Sequence, residues 1–219
     1  MSDTNAPDTA IDPNVDPEGE IHEGKNPTYE DIGSIRAQFL RTVEVPVEKR
    51  HPQILLCPVG IVGSGKTTVM KPLCNRLGLV RISLNKIRML LKANGFNYTQ
   101  TLAIAHGVVG QFLQDGYSVG LDVDCVGSMK TFIDEQEKTF HVKVVWIHIN
   151  PPEAFILKKF KRLGYGMLFN NEKEATAHYE RRKPLHANLD MPFTYVVDPS
   201  QGDLEQQIEY AAETIEQMQ

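Results

Sequence analysis

The sequence predicts an α/β fold, a parallel sheet covered by helices on both faces, and three observations carry that expectation. From about residue 52 onward, short runs rich in Ile, Leu and Val alternate with longer stretches of helical periodicity, the pattern of repeated strand-helix units. A glycine-rich segment at 60–67 stands between one such run and one such stretch. The chain has 219 residues, 41% hydrophobic and 23% charged, enough for one well-buried domain with residues to spare.

The spare residues are at the N-terminus. Residues 1–31 hold nine acidic side chains and one Lys, a local balance of −8, against −5 for the whole chain. Residues 32–219 therefore carry 22 basic and 19 acidic side chains, a balance of +3. Residues 1–27 are dominated by Asp, Glu, Pro, Asn and Gly and are expected to form a disordered acidic tail. A mildly basic body suits an anionic substrate, whereas a nucleic-acid footprint by charge alone would be far more basic. The first residues carry no basic segment followed by an apolar run, so no signal peptide is expected. No apolar stretch reaches the roughly 20 residues of a membrane span. Cys57, Cys74 and Cys125 show no metal-ligand spacing and read as buried thiols. A soluble, cytoplasmic protein is the expectation.

Taken in order, Thr28-Tyr29-Glu30-Asp31 resembles a capping box, and Tyr29, Ile32, Ile35, Phe39 and Val43 recur at helical spacing. This predicts a helix over 29–43, with 28–50 forming a helix and connector ahead of the main domain at 51–219. Strands are predicted near 53–58, 79–83, 118–122, 142–149 and 194–197. Helices are predicted near 66–77, 85–92, 100–114, 128–139, 152–163, 174–182 and 204–218.

Gly60-Ile61-Val62-Gly63-Ser64-Gly65-Lys66-Thr67 matches G-x-x-x-x-G-K-[ST], directly after the strand Gln53-Ile54-Leu55-Leu56-Cys57 and at the start of a helix. Glycines allow positive φ and close approach, so that successive backbone N–H groups point at phosphate oxygens. The helix N-terminus adds partial positive charge. Lys66 supplies a point charge for the β- and γ-phosphates, and the Thr67 hydroxyl is placed to bind Mg2+. The cofactor-binding residues are therefore Gly60, Val62, Gly63, Ser64, Gly65, Lys66, Thr67 and Thr68, and the cofactors a nucleoside triphosphate, ATP by default, with Mg2+. There is no Asn-Lys-x-Asp guanine signature.

With these residues in view, the chain resembles the P-loop kinases of the polynucleotide-kinase and zeta-toxin type over roughly residues 52–200. In that group a second strand leads into Ser-x-Asp-x-x-Arg, whose Asp orients or deprotonates the acceptor hydroxyl and whose Arg helps hold the acceptor. The corresponding text is Ser83-Leu84-Asn85-Lys86-Ile87-Arg88. Arg88 matches, but Asn85 stands where the Asp would be, and an amide orients a hydroxyl without taking its proton. Ser83 and Asn85 also suit plain helix capping. The resemblance places Asp122, at the end of the third strand, opposite Thr67, where it could hold Mg2+ or take the role that Asn85 lacks. Asp124, two residues on, suits a cap for the helix starting near Ser128. Asn150-Pro151-Pro152-Glu153 resembles the entry to a lid-bearing helix, on which Lys158 and Arg162 take the positions of the family's two lid arginines. Gly164-Tyr165-Gly166 offers a hinge for a lid at about 158–175, and Arg181 or Arg182 lies where relatives carry an arginine near the acceptor.

The resemblance implies a three-layer α/β/α sandwich with a five-stranded parallel sheet in the order 2-3-1-4-5 and a helical lid. It also implies transfer of the ATP γ-phosphoryl group to a hydroxyl acceptor, with Lys66, Asp122, Arg162, Asn85 and Arg88 as catalytic residues and Thr67 and Asp122 on the metal. A polynucleotide 5′-end, a nucleotide sugar and a small metabolite all remain open as acceptors. So does a nucleotide-binding switch without kinase activity. His106 and His148 have no ligand spacing and read as core or surface residues.

Overall fold

The computed structural model describes residues 23–163, 169 and 171–218, with the side chains of residues 162 and 163 outside the description. The elements follow in the order α1 (Tyr29–Leu40), β1 (Ile54–Val59), α2 (Lys66–Leu77), β2 (Val80–Ser83), α3 (Leu84–Ala93), α4 (Thr101–Gln114), β3 (Val119–Asp122), α5 (Ser128–Phe140), β4 (Lys143–Ile149), α6 (Glu153–Leu163), α7 (Glu172–Arg182), a short 3₁₀ helix (Lys183–His186), β5 (Phe193–Val197) and α8 (Leu204–Gln217). The five strands form one sheet in the order β2-β3-β1-β4-β5, and every neighbouring pair is parallel.

The central strand β1 is buried along its whole length, which is why its sequence is a continuous apolar run rather than an alternation. Its odd-numbered residues Leu55, Cys57 and Val59 point into a core shared with α1, α3, α4 and α5. Its even-numbered residues Ile54 and Leu56 point to the opposite face, against α2 and α8. At the sheet edge, β5 is half covered, and Val196 is 55% exposed. The parallel order puts the C-terminal ends of β1, β2 and β3 side by side, with Ser83 in register with Asp122. A third apolar cluster joins Ile61 of the glycine-rich loop to Ile156 and Phe160 of α6 and to Ala175 and Tyr179 of α7. Helices α6 and α7 therefore rest on the loop itself.

Local chemistry sets most boundaries. The capping box of α1 is formed in both directions: the Asp31 N–H donates to Thr28 Oγ1 at 3.3 Å and the Thr28 N–H to Asp31 Oδ2 at 2.8 Å. The helix ends at Leu40, earlier than the periodicity predicts, because the Thr42 and Val43 N–H groups turn back to Phe39 and Leu40 in the tighter bonds of a terminal turn. Helix α7 starts at Glu172, earlier than expected, because the Asn171 side chain accepts from the Glu174 N–H at 3.0 Å.

The acidic N-terminal segment also differs from expectation at its end. Lys25 pairs with Phe96, its N–H donating to the Gly95 carbonyl and its carbonyl accepting from the Asn97 N–H, both at 3.0 Å. Residues 23–27 are thus a strap across the α3–α4 turn, while residues 1–22 lie outside the described residues. All three cysteines are buried free thiols. Among the described residues no helix is long and apolar enough to cross a membrane.

Candidate active site

The segment between β1 and α2 folds as a tight loop around the start of α2. Gly63 and Gly65 have φ of 81° and 102°, and Gly65 is the N-cap of α2, with no side chain capping the helix. Gly60 is constrained differently from the expected positive φ. A Cβ there would lie 2.6 Å from the Ile149 carbonyl oxygen and 2.7 Å from Ser64 Oγ, so the loop crosses β4 at a distance only glycine allows. Lys66 Nζ donates to the carbonyls of Gly60 at 2.6 Å and Ile61 at 3.3 Å, which folds its charge over the loop.

A cavity of about 150 Å³ opens in front of this loop, lined by Val62, Gly63, Gly65, Lys66, Thr67 and Thr68. Gly60 and Ser64 stand behind the lining. Ser64 is fully buried, and its N–H is committed to the Ile61 carbonyl at 3.0 Å, so its contribution is to the shape of the loop.

Two carboxylates from the end of β3 complete the floor. Asp122 accepts from Thr67 Oγ1 at 2.9 Å through Oδ1 and from Arg81 Nη1 at 2.6 Å through Oδ2. Burial pushes its carboxyl upward from the ordinary range, while the Thr67 hydrogen bond and the charges of Arg81 and Lys66 oppose the rise. The Thr67 hydroxyl beside a carboxylate oxygen is a pair of hard oxygen donors, the set that suits a magnesium ion retaining several of its waters.

Asp124 departs from its expected role. Helix α5 has Gly127 at its N-cap and takes no side-chain cap bond. Asp124 instead is 4% exposed and accepts from the Gly60 N–H at 3.2 Å through Oδ1, and from Arg182 Nη2 at 3.0 Å and His186 Nε2 at 2.9 Å through Oδ2. Burial favours its neutral form, but the hydrogen bond from His186 and the charges of Lys66, His186 and Arg182 hold it down at about 2.

On the acceptor side, Asn85 lines the cavity as expected, but Arg88 does not. Arg88 is 1% exposed and donates Nη1 to Asn85 Oδ1 at 2.9 Å, standing behind the amide as its brace. That bond engages Oδ1, and the amide NH2 is the donor that Asn85 can offer a ligand.

The basic side chain that α6 brings to the cavity is one residue from the expected Lys158. Lys158 is exposed, and it is Lys159 that lines the cavity, its Nζ close to Gly65. Helix phase explains this: Ile156 and Phe160 face the loop. At about 100° per residue Lys158 lies on roughly the opposite side from them, whereas Lys159 borders their stripe. The same 3.6-residue period, read from the sequence, selects Lys159. The Arg162 side chain, residues 164–168 with Gly164-Tyr165-Gly166, and residue 170 lie outside the described residues.

The far wall is made by α7, which contributes His178 and Arg182. Arg181 bonds His178 Nδ1 at 3.0 Å, so of the two adjacent arginines only Arg182 lines the cavity. Arg81, Asp124, Lys159, His178 and His186 are absent from the sequence-based site. Arg81 and His186 reach it only through strand register and a turn after α7, neither of which leaves a local motif. His148 stacks on Phe193 with ring centroids 4.6 Å apart, and His106 on Phe132 at 3.6 Å, consistent with packing roles for both.

No protein-family model matches the chain. No curated protein matches it either. Solved structures do. APS kinase of Mycobacterium tuberculosis, in complex with AMPPNP and APS, superposes with a TM-score of 0.53 at 13% identity, covering 77% of this chain and 99% of that one. A gluconokinase from Sinorhizobium meliloti 1021 gives 0.54 at 14% identity, covering 78% and 95%. A sugar kinase from Janibacter sp. HTCC2649 gives 0.51 at 15% identity, covering 75% and 95%. At such identities the likeness is one of fold, and it agrees with the strand order and with the loop between β1 and α2: the chain has the three-layer α/β fold of the small P-loop kinases.

Proposed function

We propose that the protein is an ATP-dependent phosphotransferase that moves the γ-phosphoryl group to a hydroxyl of a small molecule. The observation that carries this reading is the joint placement of Lys66, the Thr67–Asp122 pair and Lys159 around one cavity at the N-terminus of α2. The loop amides and the start of α2 bind the phosphates, and Lys66 and Lys159 neutralise their charge from two sides. Thr67 and Asp122 would hold Mg2+, which would supply positive charge to offset that of the phosphates. Arg81 braces Asp122 so that Oδ1 stays toward Thr67. Asn85, braced by Arg88, orients the acceptor hydroxyl through its NH2 group. In phosphoryl transfer the protein contributes mostly positioning and charge neutralisation, so an amide at this position is compatible with turnover.

Among the described residues no Phe, Tyr or Trp lines the cavity to stack a base, which supports a small acceptor over a polynucleotide 5′-end, an acceptor that the resemblance in sequence would also allow. The bound APS and the gluconate and sugar in the names of structural neighbours point the same way. One observation favours a second reading, a nucleotide-binding switch without transfer: with Oδ1 held by Arg88, Asn85 has no group that can take a proton.

The test is calorimetry with ATP, followed by radiolabel transfer from ATP to pools of small hydroxyl metabolites and of 5′-hydroxyl oligonucleotides. Lys66→Ala is expected to abolish tight ATP binding with the fold intact. Asp122→Asn is expected to abolish transfer while nucleotide still binds, and Asn85→Asp to leave transfer intact or raise it. Equal ATP affinity in the wild type and Lys66→Ala would remove the central claim. ATP binding without label in either pool would establish the switch.

A further inference from the structure

The Asp124 cluster lies beyond what the proposed reaction uses. A carboxylate 4% exposed gathers donors from three separate pieces of chain: the first residue of the loop, the last turn of α7 and the 3₁₀ helix after it. Each oxygen has a distinct task. Oδ1 accepts from the Gly60 N–H, while Oδ2 accepts from Arg182 and His186. The Gly60 carbonyl in turn accepts from Lys66 Nζ at 2.6 Å. Arg182 therefore stands on the side of the loop where the lysine charge is folded, and it lines the same cavity. Its side chain is 11% exposed, as is that of His186, so water screens this cluster little.

We propose that Asp124 is a positioning residue that couples the phosphate loop to α7 and holds Arg182 at the cavity wall as a cation for the terminal phosphate of the bound triphosphate. His186 is the second brace, fixing the carboxylate plane so that Oδ1 stays on Gly60. This rests on the reading of the cavity as a nucleoside-triphosphate site. A plain strut between the loop and α7 would serve any bound nucleotide alike, whereas a held Arg182 favours ATP over ADP, because the terminal phosphate is what ADP lacks. The ratio of the two affinities therefore separates the roles.

The experiment is calorimetry of the full chain with Mg-ATP and with Mg-ADP for the wild type, Asp124→Asn, Arg182→Ala, the double variant, and Lys66→Ala. Asp124→Asn has nearly the same shape but presents an NH2 either to the Gly60 N–H or to Arg182, so one of the two arms is lost. The ATP:ADP affinity ratio is expected to fall about 10-fold in Asp124→Asn and in Arg182→Ala, the usual size of one charge-assisted bond, with the double variant no worse than Arg182→Ala alone. Equal losses for ATP and ADP, or additive losses in the double variant, would overturn the proposal. Should Asp124→Asn not fold, His186→Ala decides: it is expected to lower the ratio a few-fold, and to leave it unchanged when Arg182→Ala is already present. A ratio unmoved by His186→Ala in the wild type, or still lowered without Arg182, refutes the coupling. Loss of ATP binding in Lys66→Ala with an unmoved ratio elsewhere defeats this inference alone. Unchanged ATP binding in Lys66→Ala defeats the triphosphate reading on which it stands.

Discussion

Gly60→Ala tests the closest backbone packing at the site. The added methyl group would meet the Ile149 carbonyl oxygen at 2.6 Å, where ordinary contact begins at 3.4 Å, so a shift of about 0.8 Å is required. The opposing atoms are the β4 backbone and the buried Ser64 hydroxyl, neither of which can swing aside as the end of a long side chain would. The loop must move instead, and the bond from the Gly60 N–H to Asp124, already 3.2 Å long, is the first to break. Overpacking of this kind costs about 1–3 kcal/mol and loss of a hydrogen bond to a charged group about 1.5–3 kcal/mol. As the two effects share one displacement, a combined loss of about 2–4 kcal/mol is expected, a large part of the stability of an ordinary domain. Urea unfolding gives the stability, and calorimetry the ATP affinity, which should fall at least about 10-fold. Gly202→Ala is the control: nothing lies within 4 Å of a Cβ there and its φ is not positive, so a change within about 0.5 kcal/mol is expected. If Gly60→Ala unfolds and binds ATP as the wild type does, the reasoning about close approach is wrong.

Further outcomes follow from single features. Gly33 lies on the exposed side of α1 with open space where a Cβ would be, so Gly33→Ala should stabilise the protein by about 0.5–1 kcal/mol, read as a raised melting temperature. Deleting residues 1–27 removes the two backbone bonds of the Lys25 strap and should cost about 1–3 kcal/mol relative to a chain beginning at Glu23, measured by urea unfolding. The His106 imidazole is held below its ordinary 6.5 by burial, with Glu135 opposing, so below about pH 6.5 the unfolded chain binds more protons than the folded one. Stability should therefore decline as pH falls from 7.5 to 5.5. His148, lowered by burial and by His186, acts in the same direction. His106→Gln should reduce the slope of the urea midpoint against pH without removing it.

The phosphate loop was legible because its requirements are local: two left-handed glycines, a lysine at the helix start and a hydroxyl beside it are all fixed within eight consecutive residues. Asn85 and Asp122 were legible because Asp122 ends β3 and Asn85 comes two residues after Ser83, the last residue of β2 and in register with Asp122, so both fall at the same edge of a parallel sheet. On α6 it is Lys159 rather than Lys158 that lines the cavity, because Lys159 borders the Ile156–Phe160 stripe, a matter of helix phase that the resemblance does not carry. Asp124 was assigned to a cap because a carboxylate four residues ahead of a helix fits that local pattern, and nothing nearby announces Arg182 or His186, 58 and 62 residues away.

The sequence by itself determined the strand-helix alternation, the identity and position of the loop, the parallel sheet and, with the family resemblance, its order, since apolar periodicity and loop chemistry act over a few residues. Only the tertiary structure decided that Arg88 braces Asn85 from within the core, that Arg81 holds Asp122, and that Asp124 joins the loop to α7. Those roles depend on which groups share a buried, poorly screened space, and burial is set by the packing of segments far apart in the chain.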